Sequence, residues 1–157
     1  MYVIWTIVIL GMLTGAYALF DSEAMLSTPS AINVNLADSM SVYRQAVVSY
    51  ALGKPTFQGR VAASALSLPD AQTAPWQNYV VPNGGGVTGS LVVVYGVSPS
   101  SGAAASQVEQ LAQGSAFAGV AFGGYVQSPG NSPVPMPPQL ASSVPDGTLV
   151  WMAQAYE

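Results

Sequence analysis

Residues 76–96 read WQNYVVPNGGGVTGSLVVVYG. Two runs rich in aromatic and β-branched residues, Trp76 to Val81 and Gly89 to Tyr95, flank a loop built on Asn83 to Gly86. β-branched and aromatic runs around an Asn-Gly-containing loop predict a β-hairpin. The second run is apolar on both faces, which places it inside a sheet rather than at its edge.

Upstream of the hairpin the period changes from two to between three and four. Leu36, Met40, Tyr43, Val47 and Tyr50 form one apolar stripe, and Asn33 or Asn35 precedes it as a helix cap. Gly53 followed by Lys54-Pro55 supplies the stop, because glycine tolerates the left-handed position after a helix and proline cannot continue one. The spacing therefore predicts a helix over 36–52, whose stripe, with Trp76, is core. Between it and the hairpin the chain is rich in Ala and Ser, with a short strand or turn expected at Ala65 to Leu68.

Downstream, Ala103 to Gln113 offers a second, shorter helix with Val108, Leu111 and Ala112 on one side and Gly114 at its end. Ala116 to Val126 is apolar and interrupted by glycine, and reads as a strand with a bulge. Ser128 to Pro138 holds too many prolines for a helix or an inner strand and is expected to be a loop, extended in the polyproline manner. Val144-Pro145-Asp146-Gly147 is a turn by its chemistry. Thr148 to Tyr156 then reads as a strand with Leu149, Trp151, Ala153 and Ala155 on one face. The order helix, hairpin, helix, strand, loop, strand predicts an α+β domain over 35–157, with a mostly antiparallel sheet and two packed helices.

The opening stretch, MYVIWTIVILGMLTGAYALF, has no charged side chain from Tyr2 to Phe20. As a helix it would reach roughly 28 Å, close to the thickness of a bilayer's hydrocarbon core. Ala16-Tyr17-Ala18 resembles a signal-peptidase site, but a basic leader is missing and the apolar run is long, so a retained anchor over 1–20 is favoured, with a connector over 21–34. The nearest basic side chain is Arg44, so the reading is N-terminus in the cytoplasm and body outside. Within the run, Gly11, Thr14 and Gly15 form a small-residue motif that lets two helix backbones approach in lipid.

The chain carries a formal net charge of −4 and neither histidine nor cysteine. With so few basic groups, phosphate-driven binding of nucleic acid has no electrostatic basis. The missing residue types remove Ser-His-Asp, Cys-His and thiolate or imidazole zinc chemistry, and the acids are too scattered for any pair to stand out as an acid/base dyad. Gly84 to Gly86 lacks the Lys-Ser or Lys-Thr of a phosphate loop. Neither an enzymatic role nor a cofactor or small-molecule substrate is expected. The Pro-rich loop is a better candidate for protein contact, because Val134, Met136 and Leu140 sit on a backbone that loses little entropy on docking.

Two families resemble this layout. Type IV pilins also begin with a long apolar helix, and Gly11-Met12 resembles their processing site. The glutamate they carry at the fifth mature position is replaced here by Ala16, and the pair lies mid-run without a basic leader. Ser41 to Tyr50 (SVYRQAVVSY), Pro55 to Gly59 (PTFQG), Ser67-Leu68-Pro69 and Val144 to Val150 (VPDGTLV) resemble, in order, the PilM family of type IVB and conjugative thin-pilus systems. The resemblance implies a non-enzymatic inner-membrane protein of the pilus basal body, whose partners are other pilus-assembly membrane proteins, pilin and the lipid bilayer. It is distinct from the actin-like cytoplasmic protein that shares the name. The alternative is a minor pilin or pilin-like subunit.

Overall fold

A computed structural model describes residues 31–68 and 75–156. The anchor expected over 1–20 and its Gly11, Thr14 and Gly15 lie outside the described residues. Among the described residues no helix is long and apolar enough to cross a membrane.

The first helix, α1, is described over Ala31–Gly53. Residues 31–34, expected in the connector, are therefore helical, and Asn33 and Asn35 sit within the helix instead of capping it at the predicted start. Its buried line is Ala37, Met40, Tyr43, Val47 and Ala51. This is the predicted stripe turned slightly, with Leu36 and Tyr50 moved to its partly buried margin. Gly53 does not adopt the left-handed conformation expected of it. Lys54-Pro55 ends the helix by itself, through a turn in which the Phe57 N–H donates to the Lys54 carbonyl at 3.0 Å.

The predicted hairpin is present. Strand β1, Trp76–Pro82, pairs antiparallel with β2, Ser90–Gly96, in a register that sets Trp76 opposite Gly96 and Pro82 opposite Ser90. Asn83 takes the left-handed conformation at the tip and Gly84–Gly86 form a single 3₁₀ turn. After β2, a 3₁₀ stretch at Pro99–Ala104 leads into α2, Ala105–Leu111. Of the three residues expected on its apolar side, Val108 is fully buried and Ala112 partly so. Leu111 instead points outward, because the short helix presents only a narrow stripe to its neighbours. The Gly114 N–H donates back to the Glu109 carbonyl at 3.0 Å, the predicted stop.

The single strand expected over 116–126 is two strands. β3, Ala118–Phe122, turns at Gly123 and Gly124, both with positive φ, into β4, Tyr125–Gln127. Two consecutive positive φ values match the strand twist of a two-residue hairpin turn, so this Gly-Gly makes a reversal rather than a bulge. The Pro-rich loop carries a two-residue strand, β5, Val134–Pro135, and one helical turn, α3, Pro138–Ala141. Proline fits there because β5 is an edge strand. β6, Leu149–Ala155, follows the predicted turn, in which the Thr148 N–H donates to the Pro145 carbonyl at 3.3 Å.

The sheet has six strands in the order β1-β2-β6-β3-β4-β5, with every neighbouring pair antiparallel. The predicted α+β class and antiparallel sheet are therefore observed. Strand alternation divides the core into two clusters. On the helical face, Val80, Val92, Val94, Leu149, Trp151 and Ala118 pack beneath α1 and α2. On the far face, Leu91, Val93, Val150, Met152, Ala121 and Val126 pack beneath residues of the Pro-rich segment. Burying one such Val or Leu contributes about 1.5–3 kcal/mol, so both faces need a cover.

Candidate functional site

Of the contact residues expected in the Pro-rich loop, Met136 and Leu140 are 5% and 3% exposed and belong to the far-face core with Val144; Val134 packs partly against it. Their setting explains why. Val134 pairs with Val126 of β4, the Met136 N–H donates to the Gly124 carbonyl at 3.0 Å, and the α3 turn aims Leu140 inward. A sheet that is apolar on both sides turns Met136 and Leu140 into its lid, with Val134 at the margin, so these side chains shape the loop. Residues 129–133, Pro135, Pro138 and Gln139 are what the segment shows to solvent.

The surface that sequence reasoning missed lies at the other side of the sheet. Arg44 follows the buried Tyr43 on α1 and reaches across to β6, where its guanidinium carbon stands 4.2 Å above the centre of the Trp151 ring. An Arg over an indole face is held by the ring quadrupole. Its Nε is buried and has no hydrogen-bond partner among the described residues. Burial lowers the Arg44 pKa from its ordinary value, but a guanidinium keeps its charge in proteins.

Arg44 and Trp151 line a groove of about 390 Å³ whose walls include Leu111, Phe117, Gln154 and Tyr156, and Arg44 is the one cation among its lining residues. Leu111, Phe117 and Tyr156 are 46%, 43% and 60% exposed. The groove exists because β3 starts late. β3 pairs with β6 from Ala118 opposite Trp151 to Val120 opposite Leu149, and the Met152 N–H still reaches the Phe117 carbonyl at 2.8 Å. Beyond that point the chain departs toward α2, while β6 continues to Ala155 against β2 alone. Arg44 as a basic residue beside an apolar helical stripe was the available signal, yet nothing local says which strand it would face.

A second exposed region lies where neither α1 nor α2 reaches. Phe122 and Tyr125 oppose each other across the β3–β4 turn, 58% and 48% exposed, with Pro135 opposite Tyr125 on the next strand. The Asp146 carboxylate accepts the Gly123 N–H at 2.8 Å and steadies the turn. A cleft of about 480 Å³ between α1 and Ala65 to Ser67 has no charged side chain among the described residues that line it. Among the described residues no cluster of His, Cys, Asp or Glu could hold a metal ion.

A family model described as PilM matches residues 8–152. No curated protein and no solved structure matches the chain.

Proposed function

We propose a function from one premise: this chain belongs to the PilM family. Membership makes it a pilus-assembly-related protein and points to a non-catalytic role with protein partners in the apparatus. The finer reading is that of a structural component of a type IVB or conjugative pilus basal body. In it, residues 1–20 hold the chain in the bacterial inner membrane in a single pass, with the N-terminus cytoplasmic and the α+β domain periplasmic. Anchoring raises the local concentration of the domain for partners in the same membrane. The family match carries this reading, and the charge-free run from Tyr2 to Phe20 supports the anchor.

Intact-mass measurement and fractionation from the host test it. Full-length mass in the inner-membrane fraction is the expected result. A species beginning at Met12 and recovered in sheared pili would instead make the protein a pilin-like subunit. A soluble periplasmic species beginning at Leu19 would mean that the apolar run is only a signal.

A further inference from the structure

We propose that the groove between Arg44 and the end of β6 takes an extended peptide segment of a partner protein, added to β6 as a strand, with a carboxylate of that segment on Arg44. The proposal deepens the assembly reading by giving the partner's chemistry, and its geometric support is independent of that reading.

Three observations meet there. The first is an open strand edge. The N–H and C=O of one strand residue point to the same side, and that side alternates along the chain. Since the Met152 N–H points to Phe117, the N–H and C=O of Gln154 face the same lane. No backbone bond from any described residue outside the sheet meets them there, and β3 does not extend far enough to pair with them. The two outer edges of the sheet, in contrast, are blunted as edges in native proteins usually are. Gly59 and Val80 exchange N–H and C=O bonds at 2.9 Å along β1, and at the opposite end β5 is two residues long with a proline.

The second observation is charge. Among the described residues Arg44 makes no ion pair, its Nε lacks a partner, and the groove lining holds no carboxylate to neutralise it. A carboxylate is its natural complement, because charge-assisted bonds to guanidinium are among the strongest available. The third is apolar wall. Phe117, Leu111 and Tyr156 stay exposed beside the lane, and they offer cover for alternate side chains of an added strand.

The arrangement sets the register. The peptide continues the lane of β3, antiparallel to β6, and pairs with the Gln154 backbone. Arg44 lies on the helical face with Trp151, so the carboxylate-bearing residue sits opposite Ala153, which shares that face. That residue is the last of the peptide, because Phe117 already holds the position opposite Met152, and the residue before it points to the far face.

The test uses the full-length chain immobilised in detergent micelles. Two pools of peptides of about eight residues, a strand's length, alternate Val, Ile or Phe with Ser or Thr and are amidated at the C-terminus; one pool carries Asp as its last residue and the other Asn. Captured peptides are counted by mass spectrometry, and exchange of the Gln154 amide is followed with and without them. The expected result is retention of the Asp pool over the Asn pool by about tenfold, as one charge-assisted bond allows, with slower exchange at Gln154. The preference is expected to vanish in Arg44→Gln and to return in part in Arg44→Lys. Should Arg44→Gln melt early, Phe117→Glu on the exposed wall gives a second readout and is expected to repel the Asp pool. Equal retention of both pools, no retention, or unchanged exchange at Gln154 overturns the proposal. Retention that appears only after Asp21→Asn with Glu23→Gln also overturns it, by making the chain's own acidic segment the occupant. Capture is scored without pili, so it can fail while a deletion strain still lacks pili, and the converse is equally visible.

Discussion

Asn78 supplies with one side chain what a neighbouring strand would supply with its backbone. Its Oδ1 accepts the Val61 N–H at 2.7 Å, and its Nδ2 donates to the Val61 carbonyl at 2.9 Å and to the Tyr43 hydroxyl at 2.7 Å. The same amide thus ties β1 to the segment beside it and to α1. Asn78→Ala would leave three buried polar groups without partners, and a cost on the order of 2–4 kcal/mol is expected in urea denaturation, since each such group costs about 1–3 kcal/mol before relaxation. Burial raises the Tyr43 phenol above its ordinary value, opposed by the Asn78 hydrogen bond and the charge of Arg60. Glu109 is a pH-sensitive residue of the same kind, its carboxyl pushed above 4.5 by burial. A raised pKa means that the folded state holds the proton more tightly than the unfolded one. The stability from that proton is complete below 4.5 and is lost as pH rises through the folded-state value. Glu109→Gln is therefore expected to be the more stable form at pH 7, with the difference closing as pH falls below the ordinary carboxylate range; melting curves at several pH values measure it.

At the scale of elements, the β3–β4 hairpin shows how little side-chain pattern it takes to make a reversal. Gly123 and Gly124 have φ of 57° and 82°, and one residue in that conformation costs an L-amino acid roughly 1–2 kcal/mol. Gly124→Ala is expected to lose about that much stability. Gly119, within β3, meets a different limit: a Cβ there would run into the Gln127 carbonyl of β4. Gly119→Ala should separate the two strands and cost about 1–3 kcal/mol, as overpacking does, and faster hydrogen exchange across β4 and β5 would locate the damage. The α1–β1 contact is sturdier, because the Trp76 Nε1–H donates to the Ser39 hydroxyl at 2.9 Å in addition to the apolar packing.

For the molecule as a whole, the proposed assembly role makes a prediction about the apolar run outside the described residues. If Gly11, Thr14 and Gly15 pack against another membrane helix, Gly11→Leu with Gly15→Leu should reduce pilus number while leaving the protein full-length in the membrane. Unchanged piliation in electron micrographs would remove that contact. The hairpin, α1, the end of α2 and β6 were all legible in the sequence, as were the missing histidine and cysteine. Each of these depends on near neighbours in the chain: periodicity, a glycine or proline at a stop, or the presence of a residue type. Tertiary structure alone decided that 116–126 folds back on itself, that Met136 and Leu140 form a lid, and that Arg44 lies over Trp151 beside a strand edge left open. Whether an apolar side chain is exposed, or a cation unpaired, depends on which distant strand comes to lie beneath it. Residues 44 and 151 become neighbours only when β6 has joined the sheet between β2 and β3 and α1 has packed upon it, and no local period in the sequence records that pairing.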